Sequence, residues 1–195
     1  MRSLGHNKKD MASSASAIRF QAKLHRPAVA DNPSAWTFLA LPQDASDQLP
    51  TRSMSSVEGT FNGFTFQATL EPDGQGGHWL RVPASLRESA GVVVGDLISL
   101  EIAPVAVEPE PEVPADLQDA LDSASPKARE TWAAITPLAR RDWIFWIVSG
   151  KKAETRVKRI AVALSKLSAG SRRPCCFDRS GMYDKSLSCP VAADD

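Results

Sequence analysis

The sequence is short of several things, and each shortage narrows what it can be. Cysteine is nearly absent: three residues in 195, at Cys175, Cys176 and Cys189. An odd number, with none in the body of the chain, excludes a disulfide framework. It suits a reducing compartment, so the expected location is the cytoplasm. No apolar run approaches the roughly 18 residues of a membrane-spanning helix. Residues 1–17 contain Arg2, Lys8, Lys9 and Asp10 but no apolar core, so they read as an unstructured leader rather than a secretory signal. Net charge is missing too, because 23 Lys+Arg balance 23 Asp+Glu. Taken over the whole chain, that balance argues against a strongly basic nucleic-acid binder.

Catalytic signatures are equally scarce. There is no Gly-x-Ser-x-Gly elbow. Ser149-Gly150-Lys151 has the end of a phosphate loop, but Phe145 stands where the loop needs glycine. The glycines of 74–77 lie between strand-like segments, not ahead of a helix, so they form a loop rather than a dinucleotide fingerprint. His6, His25 and His78 are distant from the cysteines, and adjacent cysteines lack the usual zinc-ligand spacing. Cys175, Cys176 and Cys189 are therefore only weak metal candidates. Arg172, Arg173, Arg179 and Lys185 would favour their thiolates. No catalytic residue and no cofactor is assigned, and the expected protein is not an enzyme.

What is present is patterning of two kinds on either side of one break. From 18 to 103 the apolar residues alternate, as in Ile18, Phe20, Ala22 and Leu24, which marks half-buried strands. Strands are expected at 18–25, 35–41, 57–61, 64–70, 78–82 and 97–103, with short helical turns at 42–49 and 83–90. Asn62-Gly63 supplies the two positive φ angles of a type I′ hairpin. Six short strands in so small a unit predict a β-barrel, since closure removes sheet edges. From 116 to 170 the period is helical. Helices are expected at 116–123, 127–135, 138–149 and 152–168. Ser125-Pro126 and Thr136-Pro137 act as N-cap and first-turn proline for the second and third. The helix at 152–168 is expected to bury Ala153, Val157, Ile160, Ala161, Leu164 and Leu167. Between the halves, 104–115 holds Pro104, Pro109, Pro111 and Pro114 with Glu108, Glu110 and Glu112, the composition of a stretched, self-repelling spacer. Residues 171–195 form a cysteine-containing tail. The fold class is α+β: a small β-barrel followed by a three- or four-helix module.

Two segments carry a family resemblance. Leu80 to Ile102 contains Val82-Pro83, Leu86-Arg87, Gly91 and Gly95-Asp96. It resembles the second half of a bacterial domain of unknown function (1905), and Trp36 to Pro42 with the Asn62-Gly63 hairpin fits the first half. That resemblance implies a barrel related to the double-split barrels of AbrB- and MazE-type regulators, some of which are interleaved dimers, so a homodimer stays open. Val113 to Leu121, Pro137 to Ile147 with its Arg140-Arg141 and Trp143, and the Glu154-Thr155-Arg156 run with Arg159-Ile160 resemble the helical module named for bacteriocin protection (YdeI-like or OmpD-associated). This resemblance implies a part in stress response or tolerance of antimicrobial peptides.

Charge is unevenly distributed beneath the overall balance. The barrel segment carries a net −3, the spacer −3 and the helical segment +4. Arg140, Arg141, Lys152, Arg156 and Arg159 concentrate in the last two helices, and Lys152, Arg156 and Arg159 are spaced to share a face. That face, with Trp146 at its edge, is the candidate binding surface of a non-enzymatic adaptor for an unidentified protein or peptide. Trp132 and Trp143 are assigned to the helical core. The first alternative is a nucleic-acid-associated regulator gripping phosphates with the same arginines. The second is a small-ligand binder or enzyme with a site in the barrel or the interdomain cleft.

Overall fold

The Asn62-Gly63 turn organises the sheet. Its φ angles are +48° and +85°, as a type I′ turn requires. It joins β3 (Ser55–Phe61) to β4 (Phe64–Pro72) in register, with Phe61 facing Phe64. In this computed structural model, which describes residues 17–28, 36–150, 152–175, 178–182 and 187–193, four further strands complete the sheet. These are β1 (Ile18–Lys23), β2 (Trp36–Ala40), β5 (His78–Pro83) and β6 (Leu97–Pro104). The order is β1-β6-β3-β4-β5-β2, antiparallel throughout. The sheet curls until its edges approach each other. Just beyond β1, His25 and Phe38 exchange backbone hydrogen bonds of 2.8 and 2.9 Å, which joins the first strand to the last. The result is the barrel-like sheet expected from the alternation. The leader, up to residue 16, and Cys176 lie outside the described residues.

Alternation places Ile18, Ala22, Leu24, Leu39, Val57, Phe61, Leu70, Leu80, Val82, Ile98, Leu100 and Ile102 inside, all buried. Two short helices, α1 (Gln43–Ser46) and α2 (Ala84–Ser89), fill the turns. β2 is covered on both faces, because Phe38 points outward yet is 2% exposed. It stacks there with Trp36, Trp79 and His25, at ring-centroid distances of 5.6 to 6.4 Å.

The second half forms α3 (Ala115–Asp122), α4 (Pro126–Ala134), α5 (Pro137–Val148) and α6 (Ala153–Ser168). Ser125 Oγ and Thr136 Oγ1 each accept a backbone N–H at 3.3 Å, so both expected caps form. Trp143, Ile147, Leu117 and Leu167 centre the helical core, with Trp132 packed at its side. The buried stripe of α6 differs from the expected one. Ile160, Ala163 and Leu167 are buried, whereas Val157 is 67% exposed and Ala153 and Ala161 face outward. Continued toward the N-terminus, the inward stripe meets Arg156 and Arg159 rather than alanine and valine. Propensity could not reveal this, because aliphatic stems of arginine pack as well as valine when the head group finds partners.

The spacer is also different from expectation. It does not stand clear of the domains on repelling charges. Val105 N–H donates to Ser56 O at 3.1 Å, and Glu108 and Glu110 are bound by arginines of α5.

One backbone contact limits the barrel strictly. A Cβ on Gly59 would lie 1.9 Å from Glu101 O and 2.9 Å from the Ile102 Cα. Neither can yield without breaking the β3–β6 ladder. Gly59→Ala is expected to destabilise the protein by about 2–3 kcal/mol, read as a lowered urea midpoint at unchanged slope.

Candidate functional site

Helix α5 has two inward faces. Ala139, Trp143 and Ile147 enter the helical core. Arg141, Ile144, Phe145 and Val148 recur at helical spacing and line a small cavity with Met54, Thr69 and Glu71 of the barrel, Ile144 also packing against the helical core. A helix apolar nearly all round is one that is covered on both sides.

Arg141 is the centre of this junction, with its side chain 10% exposed. Nη1 donates to Ser56 Oγ at 2.7 Å and pairs with the Glu108 carboxylate, and Nη2 donates to Met54 O at 3.0 Å. Burial lowers its pKa, opposed by Glu108 and Asp142. Its Nε is buried and, among the described residues, has no acceptor. Asp142, next in sequence, points to the tail. Its side chain is 3% exposed and accepts from Arg179 Nη1 at 3.1 Å. Burial pushes its carboxyl pKa up, against the pull of Arg179, Arg173 and Arg141.

Beside the junction lies a cleft of about 450 Å³. Its floor is the outer face of β4 and β5, where Glu71 faces Trp79 and Arg81 follows two residues along. Phe145, Val148 and Ser149 of α5 form one wall, and Leu187 and Ser188 of the tail form another. Burial raises the pKa of Glu71, with nearby Arg81 opposing. Arg81 is exposed and its guanidinium carbon sits 4.0 Å over the Trp36 ring centroid. The tail wall is fixed by close packing. Leu187 is 6% exposed, and a Cβ on Gly74 would lie 2.5 Å from its carbonyl oxygen. Farther along, Ala28 N–H donates to Val191 O and Ala193 N–H to Arg26 O, both at 2.8 Å.

The basic residues read from the sequence do not form one open face. Arg140 binds Glu110 at 2.5 Å and the carbonyls of Trp132 and Ala133. Arg141 is buried against the barrel. Arg156 makes two hydrogen bonds to Asp116, at 2.5 and 2.8 Å, which hold its pKa up and that of Asp116 down. Arg159 closes the end of α5 by donating to Trp146 O and to Ser149 Oγ, the latter at 2.8 Å. Trp146 is half-buried on the helical core and lies under Arg159, away from the cleft. Lys152, at the start of α6, is exposed. The spacing put Lys152, Arg156 and Arg159 on one face, but Lys152 is an exposed, extended residue just before α6, whereas Arg156 and Arg159 are held by partners within the protein.

The two described tail cysteines differ in their surroundings. Cys175 is exposed and its Sγ accepts from Lys166 Nζ at 2.9 Å. Burial pushes the Cys189 thiol up to about 11, with Asp73 and Glu71 adding to the shift, so it stays protonated. Among the described residues no group of three or more His, Cys, Asp or Glu is placed to hold a metal. His78 is buried, its Nε2 lies 3.0 Å from Ser53 O, and burial lowers its pKa, so it is a neutral structural group. No helix among the described residues is long and apolar enough to cross a membrane.

The sequence reading missed Glu71, Arg81, Phe145 and Val148 as a group. On β4 and β5 the two charges occupy outward positions of an alternating pattern, where solvated residues normally lie. Comparison with known proteins supports both halves of the chain. Residues 20–102 match the family model described as "Domain of unknown function (DUF1905)". Residues 110–170 match the model described as "Bacteriocin-protection, YdeI or OmpD-Associated". No curated protein matches the chain. The tail that walls the cleft lies beyond both matched segments.

Two outcomes follow from the geometry. Arg141→Met leaves Glu108 half-buried without its cation and is expected to cost about 3 kcal/mol. A double-mutant cycle with Glu108→Gln, followed by urea unfolding, should return a coupling well above that of an exposed pair. The second concerns pH. The folded pKa of Glu71 lies above its unfolded value, so ionisation is penalised in the fold. That penalty is present above the folded pKa and vanishes as pH falls below the unfolded one. Glu71→Gln removes it, so the variant should melt higher than wild type at neutral pH. The gain should shrink as pH is lowered through the carboxylate range.

Proposed function

We propose that this chain, which joins a DUF1905-type domain to a helical module of the bacteriocin-protection, YdeI or OmpD-associated type, is a non-enzymatic binding protein in the tolerance of antimicrobial peptides. Its working site is the cleft between the barrel and α5. One observation carries this reading: the arginines of α5 and α6 are spent on internal bonds, while the cleft keeps charged groups and apolar walls turned toward open space. A binding face made of those arginines would have to break the contacts that hold α3, α5 and the spacer in place. The cleft needs no such rearrangement. Its volume falls within the roughly 300–1,000 Å³ of small-ligand sites, and its walls mix Phe145, Val148 and Leu187 with the hydroxyls of Ser149 and Ser188. A peptide-related ligand accords with the bacteriocin-protection description of the helical module.

The test is growth. A strain lacking the protein should be inhibited by lower concentrations of cationic peptides than its parent. Wild type should restore tolerance, and Val148→Arg, which fills the cleft from an exposed position, should not. Unchanged sensitivity in the deletion strain would sink the proposed role.

A further inference from the structure

The cleft holds two opposite charges that do not bond each other. Glu71 lies on the floor, half-buried, and its carboxylate makes no hydrogen bond or ion pair among the described residues. Arg81 stands at the mouth and is exposed. They are diagonal neighbours on the outer face of adjacent strands, close enough to be addressed by one ligand. They would be expected to pair, but the indole of Trp36 holds the guanidinium by stacking at 4.0 Å. The acid therefore sits deep and the base sits shallow, each with capacity to spare.

That arrangement selects among charge types. A simple cation drawn to Glu71 must pass Arg81, which repels it. A simple anion drawn to Arg81 lies against Glu71. A small ligand that carries both charges satisfies both groups at once, and charge-assisted hydrogen bonds are the strong ones. The rest of the cleft wants an apolar body: Phe145 and Val148 line one side and Leu187 the other. We propose that the cleft binds an α-amino acid zwitterion with an apolar side chain, its ammonium on Glu71, its carboxylate on Arg81 and its side chain against Phe145 and Val148. The same head groups occur in a free amino acid and in a very short peptide. This inference rests on the cleft being the working site.

The test is calorimetric titration of the full-length protein with L-leucine, L-leucyl-L-leucine, and the N-acetylated and C-amidated forms of the dipeptide. At least one unblocked zwitterion should bind, and each blocked dipeptide should bind at least about tenfold more weakly than the free one, as expected for losing a hydrogen bond to a charged group. Binding by leucine as tight as by the dipeptide identifies the free amino acid as the ligand. Binding confined to leucine likewise identifies the free amino acid. Binding confined to the dipeptide identifies the peptide. In Glu71→Gln, acetylation should make no further difference. In Arg81→Gln, amidation should make none. Both variants are close in shape and lie on the sheet's outer face, and circular dichroism verifies that they fold. The assignment is overturned if no zwitterion binds at millimolar concentration, or if the free dipeptide binds and its blocked forms bind as tightly. Zwitterion binding beside a deletion strain of unchanged tolerance overturns the biological role alone. A sensitive strain whose protein ignores zwitterions overturns the ligand alone.

Discussion

The guanidinium of Arg141 is the point on which the arrangement of the molecule depends. It joins three parts of the chain: α5 that carries it, the spacer through Glu108, and the barrel through Ser56 and Met54. An arginine so covered is costly to desolvate, and its partners repay that only when all are present and well placed. The same demand for exact partners fixes the angle at which α5 meets the sheet. Nothing in the apolar contacts of Ile144, Phe145 and Val148 would set that angle alone, since hydrophobic contact is not directional. Asp142 makes the matching contact on the tail side. Two adjacent residues thus hold barrel and spacer in one direction and tail in the other, and the cleft is the space left between these attachments.

Much of the fold was legible because its signals are local. Asn62-Gly63 needs only its own φ angles, and the Ser125 and Thr136 caps need only the next turn of helix. Alternation in β1, β3 and β6 reports the inside of the barrel directly. The failures occur where a second layer of structure covers a surface that the pattern marks as solvated. Arg156 and Arg159 read as a solvated face, yet they extend the buried stripe of α6 through Ile160. Charge at i, i+4 spacing says which residues share a side of a helix, and says nothing of what lies opposite.

The cleft was illegible for a related reason. Glu71 and Arg81 come from the barrel, Phe145 and Val148 from the third helix of the second module, and Leu187 from the tail. Their separation along the chain leaves no spacing to detect. Trp146, which the sequence marked, does not line the cleft, whereas its neighbour Phe145 does. Phe145 faces the barrel and Trp146 faces α6 under Arg159. A shift of one residue turns a helix by about 100°, enough to exchange one neighbour for another.

The uneven charge along the chain gains its meaning from these contacts. A negative spacer and a positive helical segment suggested a basic surface prepared for a protein, peptide or phosphate partner outside the molecule. In the structure the spacer itself supplies acid, through Glu108 to Arg141 and Glu110 to Arg140, while α3 supplies Asp116 to Arg156. Segregated charge here directs how segments of one chain dock on one another. Two of those pairs join the spacer to the helical segment and so neutralise part of their opposite charge in place. Glu71 and Arg81 form no such pair with each other, and Arg81 stacks instead on Trp36.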